Sequence, residues 1–108
     1  MLITYKKKDG ANATVRLREI SFTQPVTIGR GKEATVVLND EKCSRIHTAI
    51  RYWDDIFIIR DMKSSNGTYL NGKKIEVAKL TPGDVIKIGD TELHVSSGVS
   101  NMDVTLSG

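Results

Sequence analysis

The stretch KSSNGTYLNGKKI, Lys63 to Ile75, carries two Asn-Gly pairs, Asn66-Gly67 and Asn71-Gly72, five residues apart. A β-hairpin needs one such turn. Asn-Gly is the strongest short hairpin signal because both central residues of a type I′ turn take φ > 0, which Gly adopts freely and Asn better than most. Asn71-Gly72 meets that need, with TYL (68 to 70) and KKI (73 to 75) as short strands on either side. Asn66-Gly67 is left over. It follows Ser64 and Ser65 and opens TYL, so SSNG is either a further turn or a polar loop built to hold something.

Outward from this hairpin the chain is a series of short apolar or alternating segments. They are LITYK (2 to 6), TVRLRE (14 to 19), PVTIG (25 to 29), TVVL (35 to 38), HTAIRYW (47 to 53), IFIIRD (56 to 61), TYL, KKIEV (73 to 77), DVIKIG (84 to 89) and TELHV (91 to 95). Turn chemistry separates them: Asp9-Gly10, Asn39-Asp40, Asp54-Asp55, Pro82-Gly83 and Gly89-Asp90. Short strands at this spacing predict an all-β antiparallel sandwich or barrel, with hairpins at 54 to 55 and 89 to 90. Trp53, Phe57, Ile59, Val85, Ile86 and Ile88 are the core candidates. After Val95 the composition turns to Ser and Gly, which predicts a domain over residues 1 to 96 and a loose tail or linker over 97 to 108.

At 108 residues the chain is one domain, long enough to bury roughly two thirds of its unfolded surface. With 16 Lys and Arg against 13 Asp and Glu, its net charge is +3, a mild excess that suits an acidic or phosphorylated partner. Lys6, Lys7 and Lys8 cluster, whereas Arg16 and Arg18 alternate with Val15 and Leu17 as on the solvated face of a strand. The single cysteine, Cys43, precludes an intramolecular disulfide and fits a reducing, cytoplasmic compartment. No apolar run reads as a signal peptide or a membrane span, so no membrane partner is expected.

Ser44, His47 and Asp61 suggest a hydrolytic triad, but Ser and His three residues apart at the mouth of a strand do not present a hydroxyl to the imidazole, and no G-x-S-x-G elbow is present. Cys and His number three in all, against the four ligands of a closed zinc site, so no metal or other cofactor is expected. IGRGKEAT (28 to 35) fails as a phosphate loop of the nucleotide-hydrolase kind, with Val26 in place of the first Gly and Glu33 in place of Ser or Thr. A basic β-domain for single-stranded nucleic acid would need stacking aromatics along a positive groove. Most of the six aromatics here fall in strand patterns instead.

What remains is a set of anion-binding groups in loops: Arg30 after one strand, Ser44 and Arg45 before another, and Ser64, Ser65 and Asn66 before TYL. Loops cluster at the ends of a sandwich, and strands of alternating direction can bring these loops to one end. Guanidinium, hydroxyl and amide groups gathered there suit a dianionic phosphate through charge-assisted bonds.

Taken together, IGR (28 to 30), SRIH (44 to 47), RDMKSSNGTYLNG (60 to 72) and LTPGDVIKIG (80 to 89) resemble, in type, order and spacing, the forkhead-associated (FHA) domain family. The resemblance covers residues 2 to 95. It implies a sandwich of about 11 strands that binds phosphothreonine peptides through loops at one end, a non-catalytic signalling module. On matching positions it implies that Arg30, Ser44, Arg45 and Ser65 contact the phosphate, that Asn66 holds the peptide main chain, and that Gly29, His47 and Gly67 are structural, His47 bonding across loops. The partner implied is a phosphothreonine protein, a Ser/Thr kinase or one of its substrates, rather than nucleic acid. Thr35, Cys43 and Thr48 stand where the family commonly has Asp, an aliphatic residue and Ala. Thr105, beside Asp103 in the tail, is a candidate phosphorylation site of the chain itself.

Overall fold

The computed structural model describes residues 1–17 and 24–97. The expected site at Thr105, and the tail beyond Ser97, lie outside the described residues. Eleven strands run in order: β1 (Leu2–Lys6), β2 (Asn12–Arg16), β3 (Val26–Gly29), β4 (Val36–Val37), β5 (Thr48–Trp53), β6 (Ile56–Asp61), β7 (Thr68–Leu70), β8 (Lys73–Ile75), β9 (Val77–Leu80), β10 (Val85–Ile88) and β11 (Thr91–Ser96). They form a six-stranded sheet, β2-β1-β11-β10-β7-β8, and a five-stranded sheet, β4-β3-β5-β6-β9. This is the expected all-β sandwich, antiparallel throughout the described strands except where β4 runs parallel to β3.

Period-2 patterning decides which residues meet between the sheets. Ile3, Val26, Ile28, Ile50, Phe57, Ile59, Ile86, Ile88, Leu93 and Val95 form the buried core. Two core expectations are corrected. Trp53 is 68% exposed, because Thr48, Ile50 and Tyr52 take the inward parity of β5 and turn Trp53 outward. Val85 is half-buried, since inward Ile86 and Ile88 leave it on the outer face. The segment KKIEV also divides. Lys73–Ile75 pairs with β7 in one sheet, while Val77–Leu80 pairs with β6 in the other, so the chain changes sheets at Glu76 and yields a strand the pattern did not separate.

The hairpin expected at Asn71-Gly72 is present, with Thr68 opposite Ile75 and Leu70 opposite Lys73. Asn71 and Gly72 have φ of 52° and 87°, as a type I′ turn requires. Asn71 does more than turn. Its side chain donates to Asp84 Oδ1 at 2.9 Å and accepts from the Val85 amide at 2.9 Å, stitching the hairpin to the start of β10. Asp54 and Asp55 also both take positive φ between β5 and β6, at 53° and 64°.

Candidate functional site

Strand register carries three loops to one end of the sandwich. Ile28 of β3 lies opposite Thr48 of β5, and Thr48 lies opposite Asp61 of β6, so the loops after β3, before β5 and after β6 leave the five-stranded sheet together. Thr68 begins β7 in the other sheet, and its hydroxyl meets that of Thr48 at 2.7 Å. Both threonines are fully buried. Thr48 therefore serves as a polar bolt between the sheets at the site end.

The β3–β4 and β4–β5 loops are fused along their backbones. The Arg30 amide donates to Ser44 O and the Gly31 amide to Arg45 O, each at 2.9 Å, and the His47 amide donates to Ile28 O at 2.8 Å. Such close approach leaves no room for a side chain on Gly29. An ideal Cβ there would stand 2.1 Å from the Arg45 carbonyl oxygen. Cys43 is buried beneath the loop, its thiol donating weakly to Ile88 O at 3.7 Å. Burial, with the charge of Asp40 next in weight, pushes that thiol up to about 12 against the pull of Arg30, so it packs as a small apolar group and is no nucleophile at neutral pH.

His47, fully buried, ties this pair to the β6–β7 loop. Its Nδ1 accepts the Ser44 amide at 3.0 Å, which leaves the proton on Nε2 to donate to Gly67 O at 2.8 Å. Both ring nitrogens are spent on backbone groups. The Ser44 hydroxyl instead accepts the Ser65 amide at 3.1 Å, so the triad geometry weighed for Ser44, His47 and Asp61 does not form.

Asp61 organises the β6–β7 loop from within. It accepts the hydroxyls of Ser64 at 2.6 Å and Thr68 at 2.7 Å, and the Ser64 amide at 3.1 Å. Since Thr68 donates to Asp61, Thr48 must donate to Thr68. Ser64 Oγ in turn accepts the Gly67 amide at 2.9 Å, holding Gly67 at φ 88°. Burial pushes the Asp61 carboxyl up, but these hydrogen bonds outweigh it and hold it below the usual carboxylate range. Asp40 has the same role one loop away. It accepts the Thr91 hydroxyl and the amides of Lys42 and Asp90, fixing the β4–β5 loop to the β10–β11 turn. Neither anchor was assigned by sequence reasoning: Asp61 was weighed only as a triad member and Asp40 only as a turn residue.

On this frame the residues carried over as contacts sit outermost, and the supporting ones sit beneath. Arg30, Arg45, Ser65 and Asn66 are exposed and Ser44 is half-buried, whereas Gly29, His47 and Gly67 are buried. Arg30 Nε donates to Cys43 O at 3.1 Å, which aims the guanidinium while leaving its terminal nitrogens unbonded among the described residues. The Ser44 hydroxyl, having accepted from Ser65, retains a proton to donate. Asn66 Nδ2 donates to Lys42 O at 2.8 Å, and its Oδ1 and second N–H have no partner among the described residues. Arg45 differs. Its guanidinium is held by Glu33 through contacts of 2.9 to 3.2 Å, so an incoming anion would compete with a carboxylate already in place. The Glu33 backbone amide and then Arg45 keep that carboxyl below its usual range. Two of the three departures from the family pattern are accounted for locally: Thr35 exchanges hydroxyl and amide bonds with Thr27, and Thr48 takes its buried place opposite Thr68.

The family model for the FHA domain matches residues 26–89, a span that includes all three loops and both their anchors. The chain belongs to the FHA domain family. FHA domain-containing protein FhaA of Mycobacterium tuberculosis is 37% identical over 93 residues, a match that covers 86% of this chain and 17% of FhaA. FhaB of the same species is 36% identical over 73 residues, covering 67% of this chain and 47% of FhaB. The chain thus spans less than half the length of either relative. A solved FHA structure, from a structural and functional study of phosphothreonine-dependent FHA domain interactions, superposes with a TM-score of 0.71 at 31% identity, covering 89% of this chain and 96% of that one.

Proposed function

We propose that residues 1 to 96 form a phosphothreonine-dependent peptide-binding module, non-catalytic, in which Arg30, Ser44, Arg45 and Ser65 hold the phosphate and Asn66 the peptide main chain. One observation carries this reading: donors from three loops meet on one rim, locked together by backbone bonds, with the Arg30 terminal nitrogens and the Ser44 hydroxyl proton unspent among the described residues. A preorganised rim of this kind gives up little conformational freedom on binding. Phosphorylation adds a charge of about −1.5 to −2 and three acceptor oxygens to threonine. Two or three bonds to it, each contributing roughly 1.5 to 3 kcal/mol, discriminate against bare threonine by about a hundredfold or more.

The partner is a phosphothreonine protein, a Ser/Thr kinase or its substrate, in a reducing cytoplasmic compartment that suits the single buried Cys43. A phosphothreonine peptide array tests the assignment. The domain should capture a subset of phosphorylated spots and none of their unphosphorylated counterparts, and Arg30→Ala should clear the array while melting like the parent. Retention of the same spots by folded Arg30→Ala would overturn the role given to Arg30.

A further inference from the structure

A second surface stands apart from the loop rim. On the outer face of the five-stranded sheet, Arg51 of β5 and Lys79 of β9 lie directly across from Ile58 of β6, one on each side. Arg60, two residues along β6 from Ile58, faces Val77 of β9. Trp53 lies two residues from Arg51 on β5. Strand spacing puts Arg51 and Lys79 about 10 Å apart, close enough for one extended segment to meet both. No outward position on the five strands of this sheet is acidic, and none of the three cations makes an ion pair among the described residues. The outer face of the other sheet differs: there Lys87 lies opposite Glu92, which also pairs with His94 at 3.5 Å.

The apolar content of this face is equally unbalanced. Trp53 is 68% exposed and Val77 50% exposed, with half-buried Ile58 between the cations. Exposed tryptophan bordered by unpaired arginine is the composition of a binding surface rather than of solvated sheet. Two occupants are disfavoured by charge. A second copy in two-fold contact would press this cationic face against itself. A phosphate-rich surface, nucleic acid or anionic lipid, carries its charge uniformly and would press it against Asp54 and Asp55 in the turn next to Trp53, where a protein segment presents an apolar side chain instead.

We infer that this face docks an acidic protein segment carrying apolar side chains, its carboxylates reaching Arg51, Arg60 and Lys79 and its apolar groups covering Trp53, Ile58 and Val77. The surface is independent of the phosphate rim. A segment of a protein already held through its phosphothreonine would meet it at high effective concentration, so modest intrinsic affinity suffices.

Trp53 is the only tryptophan of the chain, and its emission reports this face alone. The probe is an unphosphorylated peptide of repeated Glu-Leu-Glu-Glu units, titrated beside its Gln-for-Glu counterpart, an oligothymidylate and phosphatidylglycerol vesicles. The acidic peptide should shift Trp53 emission to the blue saturably and weaken with salt, and Arg51→Glu with Lys79→Glu should reduce its affinity at least about tenfold while leaving the melting temperature and phosphopeptide binding intact. An emission spectrum unmoved by the acidic peptide would overturn the inference. So would equal affinity in the charge-reversed variant, or equal or tighter binding of the Gln peptide, the oligothymidylate or the vesicles.

Discussion

Gly29→Ala adds one methyl group where the fold has no space for it. The new carbon would stand 2.1 Å from Arg45 O, 2.7 Å from the Arg45 carbonyl carbon and 2.9 Å from Ser44 O. All three are backbone atoms, so relief requires the β4–β5 loop to withdraw from β3 rather than a side chain to swing aside. The bonds that stretch first are Arg30 N–H to Ser44 O and Gly31 N–H to Arg45 O, both 2.9 Å. Overpacking a site that yields poorly costs about 1–3 kcal/mol, and each weakened backbone bond adds about 1 kcal/mol or less. The total, about 1–5 kcal/mol, is a substantial part of the roughly 5–15 kcal/mol that holds a domain together. In urea the unfolding midpoint should fall with its slope unchanged, because the surface exposed on unfolding is the same. Phosphopeptide affinity should fall with it, since Ser44 and Arg45 are carried away from Arg30. An unchanged midpoint would refute the packing argument, and a destabilised variant that binds at full strength would refute the coupling of that packing to the site.

Asp61→Asn bears on acid stability. Its folded-state carboxyl titrates below the unfolded value of about 3.9, so the stability it contributes is present above that pH and lost as pH falls through the folded value. The variant should be less stable at neutral pH and show a flatter acid limb, read as melting temperature against pH; identical limbs would exclude Asp61 as the anchor of the β6–β7 loop. Gly72→Val should lower stability by about 1–3 kcal/mol through the φ of 87° alone, since nothing lies within 4 Å of a Cβ there, and should leave phosphopeptide affinity unchanged. Glu33→Gln releases Arg45 from its carboxylate partner and should tighten phosphopeptide binding a few-fold, exposed ion pairs being weak. Weaker binding would mean that Glu33 orients Arg45 instead of competing for it.

Much of this architecture was legible because its signals are local. Asn71-Gly72 demands positive φ, and alternation in IFIIRD and DVIKIG places Ile59, Ile86 and Ile88 inside without reference to distant residues. Trp53 misled because hydrophobicity was read in place of parity, and in a strand the parity set by Ile50 prevails. The change of sheet at Glu76 was illegible for another reason: KKIEV is continuous in pattern, and only the separate partners β7 and β6 divide it. The loop residues that gather at the rim could be named from motif order, but not their bonding. That Asp40 reaches Thr91 and that Glu33 occupies Arg45 depends on contacts across 51 and 12 positions of sequence that no short pattern encodes, whereas the Asp61–Ser64 bond spans only three residues and was open to a local reading.

The central claim is that the rim reads the phosphate on threonine, and titration calorimetry with one peptide in two states addresses it most directly. A sequence selected from the array would be synthesised with threonine and with phosphothreonine and titrated into the same preparation of the domain. The phosphorylated peptide should bind about a hundredfold or more tightly than its counterpart, with a Glu-substituted peptide close to the unmodified one because it offers less charge and fewer acceptors. Indistinguishable affinities for threonine and phosphothreonine would contradict the account.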